Sequence, residues 1–322
     1  MTNTKIYKQL LYQMMRIRKV EQEIANKYID QNMRCPVHLS VGQEAVAVGI
    51  CSNLNTSDHL LSAHRSHYHY LAKGGNLTSM IGELHGKKSG CAQGKGGSMH
   101  LIDLKAGVIA AVPIVGSTIP IGVGVAWGNK LKKQNKVVTI FFGDGATEEG
   151  VFYESINFAA LHNLPVLFIC ENNFYSVYSS LSSRQAKNRN ILKTVEGMGV
   201  KSYSIDGNKV DKIHQKSKNI ISQIRKNNKP VFIELKTYRF LEHCGPFNDD
   251  NLNYRSTKEI KLWKSKCPIE YFKNKMIDNS RVNAKEMIDW ENKIEKEIAL
   301  SFTKTLKNNF PSKKDLMKDI YA

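Results

Sequence analysis

Residues 136–179, KVVTIFFGDGATEEGVFYESINFAALHNLPVLFICENNFYSVYS, decide the fold. The first seven residues are mostly β-branched or aromatic and read as a buried strand ending at Gly143-Asp144-Gly145. From 148 to 162, Phe152, Ile156, Ala159 and Ala160 recur at helical spacing and share one face. Pro165 then opens a second apolar run, VLFIC, which ends at Glu171-Asn172-Asn173. A third such run, residues 230–235, leads to Thr237-Tyr238-Arg239. Strand, helix and strand in alternation predict an α/β fold, a parallel sheet with helices on both faces.

In such a sheet, ligands sit beyond the carboxyl ends of the strands. Asp144 and Asn173 both fall there, one after each of two consecutive strands. If the strands are neighbours, a carboxylate and an amide oxygen converge. That hard-oxygen set suits Mg²⁺ or Ca²⁺ better than zinc. Mg²⁺ held by so few protein groups completes its shell with phosphate oxygens and water. Gly145 and Ala146 are expected to open the following helix, with their N–H groups facing a phosphate. Read without more context, the same residues also serve as an ordinary turn and an Asn cap. Gly94-Lys95-Gly96-Gly97-Ser98 has the look of a phosphate loop but lacks the spacing and the lysine-hydroxyl ending of one.

The 322 residues allow a substantial core, and 41% hydrophobic with 24% charged residues is an ordinary globular balance. No apolar run is long enough for a membrane span. The N-terminus does not read as a signal peptide. Leu10, Leu11, Met14, Ile17 and Val20 follow helical spacing, which predicts an amphipathic helix in a cytoplasmic protein. The six cysteines show no zinc-type spacing. The net charge of +18 is densest over residues 184–236, which are rich in Lys, Arg and Asn but carry no nucleic-acid motif. This favours a solvated basic surface, or an anionic cofactor or acidic partner, over nucleic acid. One domain spans 1–322, with helical segments at 1–35 and 256–322.

The central stretch resembles the α subunit of the pyruvate-dehydrogenase-type, thiamine-diphosphate-dependent 2-oxo acid dehydrogenases. GDG, then 26 residues, then Asn-Asn is similar to the thiamine-diphosphate signature. CPVHLSVGQEAVAVGI, AHRSHYHYLAKGG, GELHGKKSGCAQGKGGSMHLID, IPIGVGVAWG and YRSTKEIKLWKSKCPIEYF match in the same order. The resemblance implies that Asp144, Asn173 and the Tyr175 carbonyl bind Mg²⁺. It places Gly145, Ala146, His64 and Arg65 at the diphosphate and Val115 and Gly116 at the aminopyrimidine. His38 and His243 become the catalytic residues facing the substrate, His243 also touching the cofactor. The glycine-rich loop becomes a structural loop near the active-site funnel. The implied reaction is decarboxylation of a 2-oxo acid with acyl transfer to a lipoyl group on an acyltransferase. The activating glutamate and the pyrimidine-binding half belong to a β subunit in that family, which implies an α₂β₂ heterotetramer.

Two departures stand out. His64 lies where the family usually has Tyr. Leu241-Glu242-His243-Cys244-Gly245-Pro246 replaces the usual His-Gly-His-Ser run, with Cys244 at the serine and Glu242 expected to raise the pKa of His243. His64, His67 and His69 lie close enough in sequence to raise the question of a metal site, although hydrogen-bonded histidines are the simpler reading. An acetoin dehydrogenase-like or other carbon–carbon-bond-cleaving thiamine enzyme without a lipoyl complex is the alternative. A non-catalytic diphosphate-binding subunit and a basic nucleic-acid binder fit less well.

Overall fold

The computed structural model describes residues 3–315 together with 317 and 318. The outermost parts of the two expected terminal segments, residues 1–2, 316 and 319–322, lie outside the described residues. In chain order, helices α1 (Asn3–Tyr28) and α2 (Glu44–Cys51) lead to strand β1 (His59–Ser62). Helices α3 (His67–Ala72) and α4 (Leu77–Leu84), strand β2 (Val108–Ala111) and helix α5 (Thr118–Leu131) follow. Next come β3 (Val138–Gly143), α6 (Gly150–Leu161), β4 (Val166–Asn172) and a hairpin of β5 (Tyr175–Ser176) and β6 (Ser179–Ser180). Then come α7 (Leu181–Arg184), α8 (Ile191–Gly197), β7 (Lys201–Asp206), α9 (Val210–Asn227) and β8 (Val231–Lys236). Helices α10 (Thr257–Lys264), α11 (Pro268–Asp278) and α12 (Ala284–Leu306) follow the last strand.

Six strands form one parallel sheet in the order β2-β1-β3-β4-β8-β7. Its central strands are buried on both faces, which is why they read as continuous apolar runs. Strand alternation still sorts them. Phe141, Leu167, Ile169, Ile233 and Leu235 pack against α1, α2, α9, α11 and α12. Val138, Ile140, Phe142, Phe168 and Phe232 pack against α5, α6 and α8 on the opposite face. The helical spacing in α1 holds, since Leu10, Leu11, Met14, Ile17 and Val20 are all buried. Burying five such side chains contributes on the order of 1.5–3 kcal/mol each before entropy is counted.

The expected strands are found with their ends shifted by one or two residues. Strands β1, β2 and β7 escape the sequence reading. The first two have four residues each, and the edge strand β7 alternates exposed and half-buried residues. The expected helix from residue 148 also needs correction. Asp144–Glu148 is a short 3₁₀ turn, Glu149 is extended, and α6 begins only at Gly150. The Thr147 carbonyl, which a continuous helix would pair with the amide four residues on, instead accepts from the Tyr153 hydroxyl at 3.1 Å and from Arg189. Gly145 and Ala146 therefore lie in that turn, so the dipole of α6 does not start at them.

Candidate functional site

The chain builds β1 and β2 toward one edge of the sheet, then returns to β3 and continues through β4 toward the other. This makes the gap between β1 and β3 a topological switch point, where open α/β sheets form a crevice at the carboxyl ends of their strands. A cavity, open at its mouth, lies there. Its walls include His64 and Arg65 past β1, Val115 and Gly116 before α5, Asp144 to Ala146 past β3, Asn173 and Tyr175 past β4, and His243. Each of these was expected from the sequence. His38 does not line the cavity but stands behind it.

Asp144 and Asn173 follow the carboxyl ends of neighbouring strands and line the same cavity. Strands β3 and β4 are direct neighbours, with Gly143 opposite Glu171. Asp144 is 1% exposed, and burial raises its pKa, while Arg184 beside it works in the other direction. Arg184 Nη2 lies 2.5 Å from Asp144 Oδ2, and Arg184 also bonds Glu148. Asn173 donates to Gln43 Oε1 at 3.2 Å and accepts from the Tyr175 amide at 3.1 Å. Gly116 has φ +81°, and a Cβ there would press on Glu149 and Val151 at 3.1–3.2 Å. The turn before α5 thus needs glycine at this position.

Arg65 is buried, yet it makes no ion pair among the described residues. Its guanidinium donates to the carbonyls of Leu39, at 2.5 Å, and His243, at 3.0 Å. Burial, helped by the nearby Arg239 charge, lowers its pKa to about 10. A buried cation facing a cavity without a carboxylate partner is costly in isolation and suits an anionic ligand. With a hard-oxygen set on the adjacent wall, these residues fit a metal-bound diphosphate.

His243 reaches the site because the loop after β8 runs along residues 37–41. Phe240 N donates to Val41 O and Gly245 N to Val37 O, both at 2.8 Å. The loop is held from behind by buried Asp249, which pairs with Arg255, accepts from Tyr254 and lies 3.6 Å from Arg239. The three rings of His38, His64 and His243 have centroids 4.9–5.3 Å apart. Burial first, then the Arg65 charge, pulls His38 and His243 to about 3 and His64 to about 2. All three are uncharged near neutral pH. The expectation that Glu242 raises the pKa of His243 is therefore overturned. Glu242 folds back on its own loop and accepts from Phe247 N at 2.8 Å. Gly245, at φ +122°, leaves room for it, since a Cβ there would sit 2.1 Å from the Glu242 carboxylate.

The histidines of the His64–His69 stretch do not converge on one ion. His67 bonds Ser98 Oγ at 2.7 Å, and His69 lies between Ser62 Oγ and Glu171, while His64 turns to the cavity. The glycine-rich loop is occupied from within. The Glu83 carboxylate accepts from the N–H groups of Ala92, Gly94, Gly96 and Gly97 at 2.7–3.0 Å. Sequence reasoning missed Glu171, a buried wall residue that accepts from Tyr68 and His69, although it directly precedes the Asn-Asn pair. It also missed Gln43 and Arg184, which carry no motif. Among the described residues no helix is long and apolar enough to cross a membrane.

The family described as dehydrogenase E1 component matches residues 12–313. The α subunit of acetoin:2,6-dichlorophenolindophenol oxidoreductase from Bacillus subtilis (strain 168) is 33% identical over 314 residues, which cover 97% of this chain and 92% of that protein. Pyruvate dehydrogenase E1 component subunit alpha from Rickettsia felis is 32% identical over 310 residues, covering 96% and 94% respectively. The mitochondrial pyruvate dehydrogenase E1 component subunit alpha-1 of Oryza sativa subsp. japonica is 33% identical over 307 residues, covering 95% of this chain and 77% of its own length. With this match running almost the whole length of the sheet and its flanking helices, the chain belongs to the dehydrogenase E1 component family.

Proposed function

We propose that the chain is the α subunit of a thiamine-diphosphate-dependent 2-oxo acid dehydrogenase of the pyruvate dehydrogenase type. It decarboxylates a 2-oxo acid and passes the acyl group to a lipoyl carrier on an acyltransferase. One observation carries the reading of the site. A buried Arg65 without a carboxylate partner among the described residues shares a cavity with Asp144, Asn173 and Tyr175 at the switch point of the sheet. Asp144, Asn173 and the Tyr175 carbonyl hold Mg²⁺. Arg65, His64 and the turn at Gly145 and Ala146 hold the diphosphate, with Val115 and Gly116 along the ring. Bound thiamine diphosphate supplies the electron sink for decarboxylation.

His38 and His243 are the proton-handling residues. In the chain alone both are uncharged, so each has one ring nitrogen free of a proton. Neutralising Arg65 with a diphosphate removes one cause of their lowered pKa and brings His243 closer to donor duty. Ile114 and Val115 at the mouth are 69% and 48% exposed, and Phe247 on the His243 loop is 60% exposed. Apolar surface around a catalytic mouth favours a covering chain, here the β subunit of an α₂β₂ assembly. The Bacillus relative supports a second reading, in which acetoin rather than a 2-oxo acid is cleaved.

The test is to purify the chain with and without its β subunit. Calorimetry with Mg²⁺ and thiamine diphosphate is followed by acceptor reduction with a panel of 2-oxo acids and acetoin. Cofactor-dependent turnover by the pair, and almost none by the α chain alone, is expected. Robust turnover by the α chain alone, or no cofactor binding by the pair, would refute the reading.

A further inference from the structure

We propose that Glu171 is a positioning residue, whose carboxylate ties the start of α3 to the end of β4 and so fixes the turn that carries Arg65 at the cavity. The proposal rests on the cofactor reading given above and adds to it how the anion-binding side chain is held in place.

Strand β1 ends at Ser62 and α3 begins at His67, so Arg65 sits in the short connection 63–66. Its guanidinium bonds only loop carbonyls, those of Leu39 and His243. The firm anchors lie just beyond it, in α3. His69 Nδ1 is 2.7 Å from Ser62 Oγ, which closes the turn at its base. His69 Nε2 is 3.0 Å from Glu171 Oε1, and the Tyr68 hydroxyl donates to the same oxygen. An ionised carboxylate only accepts, so His69 carries its proton on Nε2 and accepts from the Ser62 hydroxyl at Nδ1.

The bridge from Ser62 through His69 to Glu171 spans the switch point. Ser62 ends β1, Glu171 lies near the end of β4, and β3 runs between them. The His69 ring stacks on Phe141 of β3, with centroids 4.0 Å apart, and on Tyr68 at 3.9 Å. Every member is buried, and charge-assisted hydrogen bonds hold geometry best where water does not compete. Contact with the ligand does not account for Glu171, because a carboxylate on the cavity wall repels a diphosphate. Both side-chain hydrogen bonds found for it among the described residues end on Oε1. It also favours the charged form of its neighbour. Burial and then the Arg239 charge lower the Arg65 pKa, and Glu171 is among the groups that act the other way.

The test compares Glu171→Ala and Glu171→Gln in the full chain assembled with its β subunit, with circular dichroism checking each fold. Calorimetry measures binding of thiamine diphosphate with Mg²⁺, and amide hydrogen exchange of residues 63–72 is read without cofactor. Glutamine keeps an oxygen for both donors, whereas alanine leaves Tyr68 and His69 without one. Glu171→Ala should speed exchange and weaken cofactor binding about 10-fold, the low end of the loss seen when the support of a metal ligand is removed. Glu171→Gln should leave exchange unchanged and bind at least as tightly as wild type, because a repelling charge is gone. In an Arg65→Ala background the penalty of Glu171→Ala should vanish, since a residue acting through Arg65 has nothing left to place. Unchanged exchange in Glu171→Ala, tighter binding in both variants, equal losses in both, or a penalty that persists without Arg65 would overturn the proposal. Normal affinity in Arg65→Ala alone, with exchange still raised by Glu171→Ala, would instead remove Arg65 from the cofactor site and leave the tie standing.

Discussion

Arg184 Nη2 lies 2.5 Å from Asp144 Oδ2, so a cation of the chain itself occupies the carboxylate proposed to ligate Mg²⁺. The pair is well buried, with the two side chains 13% and 1% exposed. Metal and guanidinium therefore compete for one charge. Arg184→Gln removes the competitor and should tighten Mg²⁺ binding about ten-fold, in keeping with the 1.5–3 kcal/mol of a charged hydrogen bond partly offset by Asp144 desolvation. Calorimetric titration of Mg²⁺ at fixed thiamine diphosphate checks this. Weaker binding in the variant would mean that Arg184 supports the ion.

Asp144→Ala removes the only carboxylate of the proposed ligand set and leaves Asn173 to hold the ion. Retention of thiamine diphosphate should be lost while the far-ultraviolet circular dichroism is unchanged. Equilibrium dialysis against the cofactor with excess Mg²⁺ decides it, and undiminished affinity would remove Asp144 from the site.

His243→Ala should retain thiamine diphosphate but lose rate by about 10²–10⁴-fold, the usual contribution of a positioned proton donor or acceptor. Acyl transfer to a lipoylated domain should suffer more than decarboxylation into an artificial acceptor. Wild-type rates in both assays would make His243 a loop residue only.

Acid should destabilise the cofactor-free chain through the histidine cluster. In the fold, His64 protonates at about 2 and His38 and His243 at about 3, whereas in the unfolded chain they protonate near 6.5. Between those values the unfolded state binds more protons, so stability is lost as pH falls below 6.5. Thermal melts from pH 7 to pH 5 should show this decline. His64→Asn should flatten it, and parallel curves for wild type and variant would contradict uncharged burial.

Glu83→Gln should weaken the fold more than an average polar change. The carboxylate is 1% exposed and serves four backbone N–H groups, and an amide replaces one acceptor oxygen with a donor. A loss of about 2–4 kcal/mol is expected from charged hydrogen bonds broken in a buried site. Chemical denaturation measures it.

The sequence by itself determined the parallel α/β core, because residues 137–142, 165–170 and 230–235 are mostly apolar at successive positions and a doubly covered sheet accepts them. It also set Asp144 and Asn173 at strand ends, since a strand must stop where Gly-Asp-Gly and Asn-Asn begin. Short strands such as β1 and β2 were not legible, because four residues cannot display a period above the background. Only tertiary structure decided that β3 and β4 are neighbours and that the switch point falls between β1 and β3. It alone broke the helix before Gly150, through hydrogen bonds from Tyr153 and Arg189 that no local pattern encodes. It also turned Glu242 away from His243 and brought His38, His64 and His243 into one cluster, though they are far apart in sequence. Periodicity records which face of an element is buried. Which distant side chains share a desolvated space depends on how the loops close over the sheet, and that space sets their charges.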